Sequence, residues 1–159
     1  MVKGMIFVAL GMILSSAAFG GLNKALHGNS EISGGLAGSG FSLRGAKLSQ
    51  LGQAERLQLE IGTIRGEALK GYPGYFHVEM QKRPNRLVID LSQTPKTFID
   101  PARLEASLRA SRFIAKSNLL VDPMDHSMSL ILDLKKEATA KVYQVKGQKG
   151  TSQIVVDIQ

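Results

Sequence analysis

A chain of 159 residues with a formal net charge of +7 suits one domain with short appendages and a basic surface. The absence of cysteine excludes a disulfide framework and a lipid joined to a cysteine at a cleavage site. The charge admits nucleic acid, anionic lipid, acidic polysaccharide and the cell wall as partners, and says nothing of the fold.

Residues 1–20 have the layout of a secretory signal peptide. Lys3 gives a positive start, Met5 to Leu14 is apolar apart from Gly11, and Ser15 to Gly21 is small and weakly polar. The apolar run is about half of the roughly 20 residues that a spanning helix needs. An uncleaved signal anchor is the rival reading. Cleavage after Ala18 and after Gly20 both fit. Removal takes away Lys3 and no acid, so the net charge falls from +7 to +6. Export without disulfides fits a bacterial periplasm, where they are permitted but not required. Basic residues are scattered, with Lys82, Arg83 and Arg86 together and Lys135 beside Lys136.

Residues 21–40 are rich in glycine, serine and asparagine and read as a flexible linker, which places the domain at 41–159. Phe41 and Leu43, with Lys47 to Leu51, suggest a first strand and turn. Arg56 to Ile61 alternates, with Leu57, Leu59 and Ile61 on one face. Gly62 to Gly74 is rich in turn residues. Tyr75 to Gln81 and Arg86 to Leu91 are strands joined by a turn at Lys82 to Asn85. Asp100 is a good N-cap and Pro101 suits the first helical position, so the spacing predicts one short helix over 101–110. Strands follow at Phe113 to Val121, Ser129 to Lys135, Ala138 to Lys146 and Gln153 to Ile158, with turns at Asp122 to Asp125 and Gly147 to Gly150.

The chain repeats itself. Arg86-Leu87-Val88-Ile89-Asp90-Leu91 is echoed by Gln153-Ile154-Val155-Val156-Asp157-Ile158. Leu57, Leu59 and Ile61 correspond to Leu130, Leu132 and Leu134, and Phe41 to Phe113. The expected fold class is all-β, a sandwich of two similar small sheets closing over one core, with one short connecting helix.

Pro84-Asn85-Arg86-Leu87-Val88-Ile89-Asp90-Leu91 resembles the hallmark of the AMIN domain family, a proline, a spacer, an arginine, then aliphatics around an aspartate. Arg56 to Ile61 is similar to that family's opening arginine-led strand. Ser111-Arg112-Phe113 with Leu130 to Leu134 resembles its second half. The likeness covers about 41–159. It implies an AMIN-like all-β fold, a periplasmic location and a targeting role, as in N-acetylmuramoyl-L-alanine amidases and type IV pilus secretins, where the module is thought to hold its host at peptidoglycan. The second hallmark departs from the family, lacking the proline and carrying Gln153 in place of arginine.

Arg86 and Asp90 share a strand face. An arginine fork can hold a stem-peptide carboxylate, and an aspartate can accept from hydroxyl and amide groups. The other reading is a surface charge pattern in which Asp90 and Asp157 protect sheet edges. Arg56, Arg112, Asp133 and Asp157 join the candidates. Tyr72 and Tyr75 flank Pro73-Gly74, beside Phe76, and either stack on sugar rings or cover the core. His27, His77 and His126 are isolated, so no metal site is expected. Asp125, His126 and Ser127 or Ser129 read as turn chemistry, not as a triad. Glycoside cleavage would need two carboxylates facing one cleft, and opposite sheets would keep Asp90, Asp133 and Asp157 apart. The expectation is an exported, non-catalytic module needing no cofactor, with peptidoglycan as partner, no nucleic acid, and no transmembrane span after signal cleavage. A protein–protein adaptor recruiting a cell-wall amidase, a secretin or another envelope complex is the alternative.

Overall fold

The computed structural model describes residues 23–159, so the expected signal segment lies outside the described residues. The chain runs β1 (Asn23–Leu26), β2 (Ser30–Gly34), β3 (Phe41–Leu51), β4 (Ala54–Thr63), β5 (Phe76–Gln81), β6 (Arg86–Asp90), β7 (Lys96–Thr97), α1 (Pro101–Leu108), β8 (Ile114–Val121), β9 (Met128–Leu134), β10 (Ala140–Val145) and β11 (Ser152–Ile158). These strands form two sheets. One has the order β1-β10-β11-β4-β3-β7, the other β2-β5-β6-β9-β8. The fold is an all-β sandwich, as the alternation predicts.

Period-two spacing builds the core. Leu57, Leu59 and Ile61 of β4 face inward beside Ile154, Val156 and Ile158 of β11, all fully buried. In the other sheet Leu87 and Ile89 of β6 pair with Leu132 and Leu130 of β9. Leu26, Leu43, Phe76, Val78 and Val142 complete one continuous cluster. Burying each such side chain favours folding by about 1.5–3 kcal/mol. The helix α1 is too short to be stable alone. Asp100 caps it by accepting from the Ala102 N–H at 3.0 Å, and Leu104 and Leu108 bury against the core.

The duplication is visible in the topology. Exchanging β3, β4, β5 and β6 with β8, β9, β10 and β11, in that order, turns the run β10-β11-β4-β3 of one sheet into the run β5-β6-β9-β8 of the other. Each half thus gives one hairpin to each sheet. The register keeps the expected matches of β4 with β9 and of β6 with β11. The match of Phe41 with Phe113 needs correction by one residue. Leu43 pairs with Ile61, and Ile114 pairs with Leu134, so Leu43 is the counterpart of Ile114. Both β3 and β8 then bulge at the equivalent place, between Leu43 and Gly45 and between Ile114 and Lys116.

Those bulges also explain why β3 looked like a strand and a turn. The extra residue lets Leu43 and Leu48 face inward although their spacing is odd. The expected linker at 21–40 also differs. There β1 pairs with β10 and β2 pairs with β5, so the segment crosses from one sheet to the other and adds a strand to each. Its glycines turn and admit neighbours; they do not loosen the chain. Gly35 has φ +81°, and a Cβ there would sit 2.1 Å from the Gly74 carbonyl oxygen. The short parallel strand β7 beside β3 carries no apolar repeat that a sequence reader could see.

Candidate binding surface

Arg56 of β4 lies opposite Asp157 of β11 on the outer face of the six-stranded sheet. Its Nε donates to Oδ1 at 2.7 Å and its Nη2 to Oδ2 at 2.8 Å, a two-pronged pair. Hydrogen bonding to Asp157 raises the Arg56 pKa above its ordinary value. Arg86 of β6 lies opposite Asp133 of β9 on the outer face of the other sheet, and only its Nε donates, at 2.7 Å. Asp90 has Ser129 opposite it in place of an arginine, and its Oδ1 accepts from the Ser92 N–H at 2.7 Å.

The duplication explains this asymmetry. Asp157 matches Asp90, and Arg86 matches Gln153. Gln153 faces Glu60 in the ladder and accepts from the Gln58 amide at 3.0 Å. Each sheet therefore keeps one Arg–Asp pair, at opposite ends of the equivalent ladder. The two pairs lie on outer faces that point away from one another, so the candidates do not all converge on one site. Among the three aspartates only Asp157 is on the opposite sheet, and Asp90 and Asp133, expected on opposite sheets, share the outer face of β6 and β9 with Arg86.

Arg112 belongs to a third cluster. Its backbone N–H donates to Glu55 Oε1 at 2.9 Å, and its Nη2 donates to the carbonyls of Gly52 and Ala54 at 3.2 and 3.1 Å. Glu55 is fully buried and also accepts from Ser111 Oγ and, at 2.8 Å, from Gln50 Nε2. Burial would raise its carboxyl, but the Arg112 N–H, Ser111 and Gln50 together hold it below the ordinary glutamate range. This network ties β4 to the start of β8, so Arg112 is committed to the scaffold.

The aromatic candidates sit in the β4–β5 connection. Phe76 is fully buried, whereas Tyr72 and Tyr75 are half-buried. Tyr75 N–H donates to the Leu36 carbonyl at 2.7 Å, and Lys146 Nζ lies 5.5 Å from the Tyr72 ring centre. Gly71 and Gly147 exchange two backbone hydrogen bonds, which tie this connection to the β10–β11 turn and close that end of the sandwich. The opposite end keeps a cleft of about 260 Å³ with Met80, Leu134 and Ala138 among its lining and Lys82 and Glu137 at its rim.

Charge is distributed unevenly. Strands of the six-stranded sheet carry Lys24, Arg44, Lys47, Arg56, Lys96 and Lys141 against Glu55, Glu60 and Asp157. Strands of the other sheet carry Arg86 and Lys116 against Glu31, Glu79, Asp90 and Asp133. The closed end adds Arg65, Lys70, Lys146 and Lys149 against Glu67. On the first sheet's outer face, Lys141 Nζ is 5.3 Å and the Arg56 guanidinium 6.0 Å from the Tyr143 ring centre. Lys47, Lys141 and Tyr143 escape a sequence reading, because only strand register brings them to one face, and Lys146 beside Tyr72 escapes it because the turn contacts of the closed end place it there.

The histidines stay apart. His126 is exposed in the β8–β9 turn with φ 59°, and Asp125 Oδ1 accepts from the Ser127 N–H at 2.8 Å, which holds its carboxyl below the ordinary range. His77 Nδ1 shares a hydrogen bond with Ser33 Oγ at 2.8 Å on an open sheet face. Among the described residues no helix is long and apolar enough to cross a membrane. Compared with family models, curated proteins and solved structures, the chain finds no match.

Proposed function

We propose that the chain is a non-catalytic module that holds its bearer at bacterial peptidoglycan, in the periplasm. The observation that carries this reading is the difference in charge between the two sheets: basic residues exceed acids on the strands of the six-stranded sheet and not on those of the other, and two lysines, one on that sheet and one at the closed end, are set against tyrosine rings. Lysine ammonium groups meet carboxylates as mobile point charges, which suits stem peptides on a flexible polymer. Tyr72 offers an amphipathic surface beside them. The likeness of Arg86 to Leu91 to the AMIN hallmark points the same way. Arg86, only about one-third exposed and held through Nε alone, has donors left for a ligand on the other face. Arg56 and Arg112 are committed internally and contribute by shaping the sheet.

Co-sedimentation with purified sacculi tests the reading. Retention should be clear at low salt and should fall as ionic strength rises, because exposed charge pairs are screened within about 10 Å at 0.1 M. No retention at low salt would overturn it. Crosslinking in cells to an amidase or a secretin, without sacculus binding, would favour the adaptor reading.

A further inference from the structure

The longest strand at a sheet edge is β8, which ends the five-stranded sheet and pairs only with β9. No strand among the described residues pairs on its far side, where α1 packs beside its first residues. Met128 and Leu134 of β9 make their backbone bonds toward β6, Met128 accepting from Leu91 N–H at 2.7 Å and Leu134 donating to Asn85 at 2.9 Å. The intervening odd-numbered residues of β9 therefore face β8, and they lie opposite Lys116, Asn118 and Leu120. Ser117, Leu119 and Val121 are left pointing their N–H and C=O groups outward. Edge strands usually carry some protection against pairing. Here the bulge at Ala115 and Lys116 guard only the first half, while Leu120 and Val121 are 47% and 40% exposed and Met124 beyond them is 90% exposed.

This edge is complementary to itself. We propose that two copies of the chain pair antiparallel through β8 about a twofold axis at Leu119. In that register Ser117 exchanges backbone bonds with Val121 of the second copy, and Leu119 with Leu119, so every outward group meets an outward group. Lys116 then faces Asp122 of the second copy, twice by symmetry, and Asn118 faces Leu120. Opposite charges, exposed apolar groups and free backbone thus coincide in one register. An isologous pairing of this kind closes on itself and does not propagate. It joins the five-stranded sheets and leaves the lysine-bearing sheet of each copy uncovered.

Sedimentation equilibrium of the full chain, of Lys116→Glu and of Asp122→Lys tests it. The unaltered chain should show a concentration-dependent dimer. Each substitution alone sets like charges opposite one another at both symmetry-related positions, and should weaken the dimer by about tenfold or more. Mixing the two variants in equal amounts restores opposite charges at both positions, so the mixture should dimerise again. Circular dichroism checks that both variants keep their strands. A chain that stays monomeric at every concentration, single variants that dimerise like the original, or a mixture of folded variants that stays monomeric would each overturn the proposal, whether or not another protein binds this edge.

Discussion

Glu55 is the residue on which local stability should depend most clearly. Three partners aim donors at one buried carboxylate, and removing that acceptor strands them. Glu55→Ala should cost about 1–3 kcal/mol for each donor left without a bond, read as a lower urea midpoint. The pH dependence has a definite sign. The folded-state pKa is depressed, so the contribution is present above the ordinary glutamate range and is lost as pH falls through the lower folded value. The stability gap between the original chain and Glu55→Gln should therefore narrow on acidification; a gap that widens would contradict the assignment. Sequence alone could not find this network. Glu55 reads as an ordinary strand end, and its partners Ser111 and Arg112 come from the other half of the chain.

At the scale of elements, the duplicated ladder makes a constructive prediction. Ser129 occupies in the second sheet the place that Arg56 occupies in the first. Ser129→Arg should give Asp90 the partner that Asp157 has, and stabilise the fold by roughly 0.2–1 kcal/mol in thermal melts. A loss of stability would show that the two ladders are not equivalent. The first two strands offer a second test. A chain beginning at Phe41, where composition places the start of the domain, lacks β1 and β2 and uncovers β10 and β5. It should melt at a markedly lower temperature than one beginning at Leu22; equal melting would restore the linker reading. The clean alternation of β4, β6 and β9 was legible because each buries one face, and β11, buried on both faces, was legible as an aliphatic run around Asp157. β1 and β2 were not legible: they carry few apolar side chains and depend on pairing with distant strands. In β3 and β8 the bulges broke the period.

For the whole molecule, the repeated Asp90 and Asp157 segments announced two similar halves, but not that each half would split between the sheets. The candidate residues show the same limit. Arg86 and Asp90 share a face as their spacing implies, yet the ion pairs join Arg86 to Asp133 and Arg56 to Asp157, across strands far apart in sequence. Net charge was legible, its placement was not, and the functional proposal rests on placement. The most direct measurement is therefore sacculus binding by two charge-reversed chains. One carries Lys47→Glu, Lys141→Glu and Lys146→Glu on the basic side; the other carries Lys82→Glu, Arg83→Glu and Lys136→Glu, away from it. The first should lose retention at low salt while the second stays close to the original. Equal loss in both, or retention by the first, would contradict the placement of the binding surface.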